Sequence, residues 1–251
     1  MSISTQELYN RSSGDWTRNE PVLLSDYTAR PFLLDWCSPV AGKDILDLGC
    51  GEGYFARNLK KRGAGTIHAM DISEEMVSRA AQQEEANPMG IAYSTGNAND
   101  LGRFSDASFD LVVAVFLFNY LTTQESLETM TEVFRVLRPG GRFVFSVPHP
   151  SLAFIREEEP PFYFSRGGAG YFSGRNRLFE GKIWRRDGQG VAVRCVHKTV
   201  EDYFTCLKSA GYKTMPEVKE LGVDDEMIKI DPRFFTPLNE QPLHMAISVE
   251  K

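Results

Sequence analysis

The sequence predicts an α/β fold, with helices covering both faces of a doubly wound, mostly parallel sheet. An apolar run at 44–48 passes through a glycine turn into helical spacing at 54–59. A second apolar run, 66–70, ends in Asp71 and also leads into a helical pattern. The run at 111–118 is apolar throughout, which is typical of a central strand covered on both faces. Strands that alternate with helices in this way build a parallel sheet.

The turn after the first strand has glycine at alternate positions, Gly49, Gly51 and Gly53, and Asp47 precedes it. Glycine permits positive φ and lets a ligand approach the bare backbone, and the next helix directs its free N–H groups into the same crevice. This is the plan of a nucleotide-binding βα unit. A dinucleotide site needs its third glycine where this chain has Tyr54. Asp47 would repel a phosphate, and it suits a ligand that carries an ammonium group or another positive charge.

Residues 47–53 resemble the first motif of the class I S-adenosylmethionine-dependent methyltransferases, and the Leu-Arg-Pro-Gly-Gly link at 137–141 is similar to the same family. The resemblance covers 40–148 and 199–251. It implies a Rossmann-like sheet of seven strands in the order 3-2-1-4-5-7-6, with strand 7 antiparallel, and an inserted lid. The core is like that of the ubiquinone/menaquinone methyltransferases, and S-adenosylmethionine is the implied cofactor.

Capping signals set the bounds of the predicted helices. Ser73 is a predicted N-cap, and Thr122 forms a capping box with Glu125. Gly63 and Gly211 are predicted C-caps. The predicted helices are 25–37, 53–62, 73–85, 122–137 and 199–211.

Apolar runs between these helices predict the remaining strands, which are 91–95, 142–147, 213–220 and 244–250. Pro216 lies in one of these runs. Proline has no N–H to donate to a strand ladder, so this strand is expected at a sheet edge. The family order places strand 6 at such an edge.

The chain divides into an N-terminal helical cover, 1–37, and a methyltransferase domain, 38–251, with a lid insertion at about 150–198. Residues 1–24 are polar and irregular, and the family often folds this segment over the cofactor. Within the insertion, two short apolar runs flank 187–190 and predict a hairpin. A long insertion over a crevice acts as a lid, or else its aromatic residues only seal it to the core.

An acid about 20 residues past the glycine turn can accept hydrogen bonds from both hydroxyls of an adenosine ribose, and Asp71 has that position. Asn97 stands where the family has an acid, and Asn99 is equally well a turn residue. For Tyr27 and Arg30 of the cover, packing is the favoured alternative. The predicted cofactor-binding residues are Asp47, Gly49, Cys50, Gly51, Gly53, Asp71, Ile72, Met76, Asn97, Ala98, Asn99, Phe116, Tyr27 and Arg30. No metal ligand is predicted.

A methyl sulfonium is already an activated electrophile, so the reaction requires neither a metal nor a covalent intermediate. It requires that the reactants be oriented, and orientation can lower the barrier by roughly 7–11 kcal/mol. His149, between two prolines after the fifth strand, is the first candidate for a base. His197 and Tyr120 are the other predicted catalytic residues. A structural role for His149 is the alternative, and His68 and His244 are expected to be core or surface residues.

Composition restricts the partners. The net charge is −6, which argues against a nucleic-acid partner held by a general basic field. No apolar run reaches the roughly 18 residues of a membrane helix. The cysteines form no metal-binding pattern, so reduced thiols and a cytoplasmic location are expected. A small-molecule acceptor and a monomer or homodimer are the predicted partners, and a basic excess at 166–186 indicates either an anionic acceptor or a solvated face.

These features together predict methyl transfer to a nitrogen or oxygen atom of a small metabolite, with a role in secondary metabolism. C-methylation of a quinone-like acceptor is an alternative. A non-catalytic protein that binds the cofactor and regulates a partner is another. A nicotinamide-dependent oxidoreductase is disfavoured, because Tyr54 replaces the third glycine.

Overall fold

The computed structural model describes residues 4–16, 18 and 20–251. The strands are β1 (Ile45–Leu48), β2 (Ile67–Asp71), β3 (Ile91–Thr95), β4 (Phe109–Val115), β5 (Leu137–Pro148), β6 (Phe162–Ser165), β7 (Leu178–Trp184), β8 (Gly190–Val196), β9 (Glu217–Leu221) and β10 (His244–Glu250). The helices are α1 (Thr5–Trp16), α2 (Ser25–Thr28), α3 (Arg30–Trp36), α4 (Tyr54–Lys61), α5 (Glu74–Ala86), α6 (Thr123–Val136), α7 (Leu152–Ile155), α8 (Val200–Ala210), α9 (Asp225–Ile230) and α10 (Pro232–Phe235). Among these residues, no helix has the length and apolarity that crossing a bilayer requires.

The main sheet has the order β3-β2-β1-β4-β5-β10-β9, which confirms the predicted topology. The strands β1 to β5 pair in parallel, and β10 runs antiparallel to both β5 and β9. The antiparallel direction sets His244 opposite Pro148, at the carboxyl end of β5. The start of β10 therefore lies at the edge where an open α/β sheet binds its ligands.

Both faces of the sheet are buried, as the apolar run in β4 predicts. Val112 and Ala114 face a cluster that α6 and α8 complete, whereas Leu111 and Val113 face a cluster completed by α3 and α4. Successive side chains of a strand point to opposite faces, so each of these residues packs on the layer that its position dictates.

The predicted capping signals hold. Thr122 and Glu125 form the capping box of α6, and Ser73 accepts a hydrogen bond from the Met76 N–H at the start of α5. Gly211 ends α8 in the left-handed region. Pro216 lies just before β9, which is an edge strand as expected.

Several segments differ from the sequence-based expectation, and the predicted helix 25–37 is divided into α2 and α3. The N-terminal segment contains α1 rather than irregular chain. Its sequence is mostly polar and has no clear apolar face, so packing against α5 stabilises the helix more than local preference does. β4 ends at Val115 and not at residue 118, since Phe116 has φ of 61° and turns the chain out of the sheet. The helices α9 and α10 were not predicted.

The insertion forms a separate three-stranded sheet in the order β6-β7-β8. β7 and β8 make the predicted hairpin, with Trp184 opposite Gly190. Phe162, Phe164 and Phe179 of this sheet pack with residues from α7, the N-terminal segment and the chain before β10. We call the segment from β6 to β8 the lid sheet.

Phe145→Ala tests the larger of the two main packing layers. Its side chain is fully buried, and its ring lies 4.9 Å from Phe143 and 5.0 Å from Phe118 between centroids. We expect the free energy of unfolding to fall by about 3–5 kcal/mol in urea denaturation, because the truncation leaves a cavity. Val218→Ala on the edge strand is the control and is expected to change it by less than about 0.5 kcal/mol. Equal losses in the two variants would contradict this description of the core.

Candidate active site

A cavity of about 370 Å³ lies at the carboxyl edge of the main sheet. One end is formed by the glycine turn and the ends of β2 and β3, and the other by the lid sheet. Most of the predicted cofactor residues line it: Asp47, Gly49, Cys50, Gly51, Asp71, Ile72, Met76, Asn97, Ala98, Phe116 and Arg30. The predicted residues Gly53, Asn99 and Tyr27 are not among those that line it.

The three turn glycines all have positive φ, but the space around them differs. A Cβ on Gly51 would meet no atom within 4 Å, so the backbone there is open to a ligand. A Cβ on Gly53 would lie 2.4 Å from the hydroxyl of Tyr93. Gly53 is therefore required for packing against β3, and Gly51 leaves room for the ligand.

Asp71 is tied to the same turn. Its Oδ2 accepts a hydrogen bond from Gly51 N–H at 2.9 Å, and its Oδ1 accepts one from Ser73 N–H at 2.9 Å. A carboxylate has about four acceptor positions, so each oxygen retains capacity for a ribose hydroxyl. Burial raises the pKa of Asp71, and hydroxyl donors would offset that cost.

Asp47 is buried, and its Oδ2 has no hydrogen-bond partner among the described residues. Burial, together with the neighbouring charge of Asp71, raises the pKa of Asp47 to about 7. A buried polar atom without a partner indicates a missing ligand group. An ammonium group meets that need, so the residues at this end of the cavity fit S-adenosylmethionine.

A buried ion network joins the N-terminal segment to the glycine turn. Arg18 binds Asp26 with N–O distances of 2.7 and 2.8 Å and lies 3.3 Å from Glu52 of the turn. Glu52 also pairs with Arg57 of α4 at 2.6 Å. Arg30 is 3.2 Å from Asp26, and burial lowers the pKa of Arg30 to about 10. Pairing of this kind holds the cover against the cofactor end of the cavity.

The helix α1 closes the cavity from one side. Asn10 accepts a hydrogen bond from Ser73 Oγ at 2.6 Å, and the hydroxyls of Tyr9 and Tyr120 form a short hydrogen bond. Both tyrosines line the cavity, and burial raises the pKa of each. Both phenols are therefore neutral, and the predicted residue Tyr120 is held in place by Tyr9.

The structure does not bring the two predicted catalytic histidines to the cavity. His149 bonds Ser151 through Nδ1 at 2.7 Å and Glu220 through Nε2 at 2.9 Å. It turns towards β9 because its backbone N–H is held by the carbonyl of Leu243. His197 bonds the carbonyl of Tyr171 at 2.8 Å and does not line the cavity either. In these positions both histidines support the surrounding structure.

The remaining predicted residues away from the cavity make other contacts. Tyr27 donates to the carbonyl of Pro21 and accepts from Arg186 of the segment after β7, and its ring packs on Phe235. Asn99 bonds Glu128 at 3.1 Å. These are the packing and turn roles that were the alternatives.

The basic excess of the insertion lies on the surface. Arg175 pairs with Glu201 and Asp202, and Arg186 lies 3.4 Å from Asp231. None of the basic residues at 166–186 is among the residues that line the cavity. The solvated-face interpretation therefore accounts for them.

Some residues that line the cavity were not among the predicted site residues, and they include Arg18, Arg194 and His244. His244 could have been found, because an antiparallel last strand begins at the carboxyl edge of its neighbours. Arg194 comes from the lid sheet, and Arg18 from a segment without a pattern. No sequence signal places those two at the cavity.

The profile of the methyltransferase domain family matches residues 45–141. The ubiquinone/menaquinone biosynthesis C-methyltransferase of Roseobacter denitrificans is 35% identical over 127 residues, which are 48% of this chain and 50% of that protein. The YqeM protein of Bacillus subtilis, a methyltransferase by name, is 33% identical over 189 residues, which are 67% of this chain and 73% of that protein. A solved S-adenosylmethionine-dependent methyltransferase from Mesorhizobium loti superimposes with a TM-score of 0.65 at 26% identity, covering 88% of this chain and 96% of that one.

The fold and the cavity define a Rossmann-like protein that binds an adenosyl group without a pyrophosphate. The chain belongs to the class I S-adenosylmethionine-dependent methyltransferases. It spans about half the length of the first of these relatives. S-adenosylmethionine is its cofactor, in agreement with the resemblance of the glycine turn.

Asp71→Asn tests the ribose contact. It retains one acceptor oxygen but loses the charge and half of the acceptor capacity, so we expect the affinity for S-adenosylhomocysteine to fall by roughly tenfold or more in calorimetry. Glu75→Gln on the exposed face of α5 removes the same charge nearby and is expected to have no such effect. Unchanged affinity in Asp71→Asn would show that the ribose lies elsewhere.

The affinity for S-adenosylhomocysteine is expected to depend on pH through Asp47. Its folded-state pKa is raised to about 7, so the carboxyl is protonated below this pH and available to an ammonium group above it. Affinity should therefore be roughly tenfold weaker at pH 6 than at pH 8 when measured by calorimetry. Asp47→Asn should remove most of this dependence. A slope that persists in that variant would assign the titration to another group.

Proposed function

We propose that this protein transfers the methyl group of S-adenosylmethionine to a nitrogen or oxygen atom of a small metabolite, a reaction suited to secondary metabolism. The shape of the cavity supports a small acceptor. The helix α1 covers one side, and Phe162, Phe164, Ile183 and Val193 of the lid sheet form the other. An enclosed, mostly apolar chamber with a few polar groups is typical of small-molecule sites.

Two hydrogen-bond acceptors without partners in the cavity support nitrogen or oxygen as the atom that is methylated. Asn119 Oδ1 and His244 Nδ1 are buried and have no hydrogen-bond partner among the described residues. Both side chains belong to the cavity lining. Such atoms call for N–H or O–H donors. A nucleophile that carries its own hydrogen supplies them, whereas a C–H group does not.

The chain contributes binding and orientation to the reaction. The cofactor supplies a methyl group on an activated sulfonium centre. Asp47 would hold the ammonium group and Asp71 the ribose hydroxyls of the cofactor, and Gly51 leaves its backbone open beside them. The cover and the lid sheet enclose the space left for the acceptor. Orientation of this kind can contribute roughly 7–11 kcal/mol to lowering the barrier.

Two other functions remain as candidates. The 35% identity to the Roseobacter C-methyltransferase favours C-methylation of a quinone-like acceptor. A regulatory protein that binds the cofactor without turnover would share the same cofactor end of the cavity. The position of the new methyl group in a labelled product, determined by mass and NMR spectroscopy, separates the first from our proposal, and the absence of any labelled product would favour the second.

A small acceptor also agrees with the charge of the chain, which is −6 and disfavours a nucleic-acid partner. A monomer and a homodimer are both compatible with a cavity of this kind.

Ligand-dependent thermal unfolding tests the cofactor assignment. S-adenosylhomocysteine at about 100 times its Kd should add about 2.7 kcal/mol and raise Tm by roughly 5–10 °C. NAD should leave Tm unchanged, because Tyr54 occupies the place of the glycine that a pyrophosphate site requires. Adenosine serves as a control for binding of the adenosine part alone. Protection by NAD and not by S-adenosylhomocysteine would contradict the proposed function.

A further inference from the structure

His244 is the first residue of β10 and lies opposite Pro148 at the carboxyl edge of the sheet. Its side chain is buried and belongs to the cavity lining. The ring packs edge-on against Phe116, with centroids 5.0 Å apart, and lies 6.3 Å from the ring of Phe162. Both of these rings line the cavity as well. His244 is therefore part of the wall between the end of β4 and the lid sheet.

The hydrogen bonds of Thr28 determine which nitrogen of His244 carries the hydrogen. The Thr28 hydroxyl has one hydrogen and two neighbours: the carbonyl of Leu24 at 3.0 Å and His244 Nε2 at 2.9 Å. A carbonyl can only accept, so the hydroxyl donates to Leu24 and accepts from Nε2–H. The neutral ring then carries its hydrogen on Nε2 and has a lone pair on Nδ1.

The alternative arrangement is costly. If the Thr28 hydroxyl donated to Nε2, Nδ1 would carry the hydrogen. Nδ1 has no partner among the described residues, so a buried N–H would lack an acceptor. Buried N–H groups without acceptors are rarer than incompletely used acceptors. The arrangement with the lone pair on Nδ1 is therefore favoured.

The surroundings keep this ring neutral. Burial, the positive charge of Arg30 and then His149 lower the pKa of His244 to about 3. The lone pair on Nδ1 is consequently available throughout the physiological pH range. The same properties make His244 a weak base, because a good general base has a pKa near the working pH.

Among the described residues, four carboxylates line the cavity. Asp47 lies at the glycine-turn end, beside Asp71, where the ammonium group of the cofactor would meet it, and the other three are engaged. Glu52 pairs with Arg18 and Arg57, and Glu125 closes the capping box of α6. Asp71 is bonded to the glycine turn. None of these carboxylates is available at the acceptor end to remove a proton.

The two tyrosines offer no base either. Tyr9 and Tyr120 bond each other, and burial raises the pKa of both. A hydroxyl acceptor requires a base during attack, whereas a neutral nitrogen already presents a lone pair. The positive charge of Arg30 beside His244 also disfavours binding of an amine in its ammonium form.

We propose that the acceptor atom is a neutral nitrogen that bears hydrogen, and that its N–H donates to Nδ1 of His244. This inference deepens the proposed function and rests on it. His244 is then a residue that positions and selects the nucleophile. Thr28 acts through it by holding the ring in the required tautomer.

The step balances without a base. The nitrogen lone pair forms the new N–C bond while the C–S bond breaks and its electron pair remains on sulfur. The positive charge passes from sulfur to nitrogen. The N-methylated product loses a proton to water after release, so no group of the chain has to accept it during attack.

NMR spectroscopy of the imidazole nitrogens tests the tautomer without any turnover. In ¹⁵N-labelled protein saturated with S-adenosylhomocysteine, His244 should be a neutral ring with its hydrogen on Nε2 from pH 6 to pH 8. The signal is assigned by its loss in His244→Gln. Thr28→Val should abolish the single tautomer, because Nε2 loses its acceptor. A hydrogen on Nδ1, or a charged ring, in the unaltered protein would overturn the proposal.

Matched acceptors and variants test the chemistry. Benzylamine and aniline are incubated with methyl-labelled cofactor beside their hydroxyl counterparts benzyl alcohol and phenol, and the products are identified by mass. We expect methyl transfer to at least one nitrogen compound and to neither hydroxyl compound. Transfer confined to hydroxyl compounds, or transfer to none of the nitrogen compounds by protein that binds S-adenosylhomocysteine, would overturn the proposal. Failure to bind S-adenosylhomocysteine would instead overturn the proposed function.

Two substitutions at His244 separate its two nitrogens. His244→Gln retains a donor near the position of Nε2 but has no acceptor at Nδ1, and should lower transfer roughly tenfold or more. His244→Asn places an amide oxygen near the position of Nδ1 and should retain more transfer than His244→Gln. Both variants should bind S-adenosylhomocysteine as the unaltered protein does. Equal activity in all three proteins would show that His244 only packs against its neighbours.

Discussion

The parallel pairing of β1 with β2 sets two buried carboxylates beside one glycine turn, and the rest of the site is arranged around them. Asp71 holds the turn through Gly51 N–H, and its charge raises the pKa of Asp47. Two carboxylates buried side by side repel each other and have lost most of their water. Hydroxyl and ammonium donors placed beside them would offset this cost, and an adenosyl sulfonium ligand carries both kinds of donor.

The elements around this crevice form an enclosure from three separate parts of the chain. The helix α1 contacts α5, and its residue Tyr9 forms a hydrogen bond with Tyr120. The ion pairs of Arg18 join the segment after α1 to the glycine turn. The lid sheet is attached in turn to the end of α1, since Arg185 donates to the carbonyl of Asp15. The cover and the lid sheet are thus connected to each other as well as to the core. An acceptor bound between them would be shielded from water.

Local patterns predicted most of the fold and most of the residues at the glycine-turn end of the cavity. The capping box at Thr122, the edge position of the strand after Pro216 and the acid at Asp71 each follow from interactions over a few residues. The acceptor end was much harder to predict. His149 was the first candidate for a catalytic residue, yet it faces Glu220, whereas His244, expected to be a core or surface residue, lines the cavity. A side chain's direction at the edge of a sheet depends on which strands are its neighbours.

The sequence by itself determined that this chain is a doubly wound α/β protein with a phosphate-free adenosyl site, because glycine spacing and strand-end acids are local requirements of that site. Only the tertiary structure decided which groups meet the acceptor. The strained backbone of Phe116, the burial of Arg194 and the orientation of His244 arise from contacts between segments far apart in the chain. The bond from His244 to Thr28 spans 216 residues. Contacts over such distances leave no periodic trace in the sequence, so the chemistry at the acceptor end became visible only in the folded molecule.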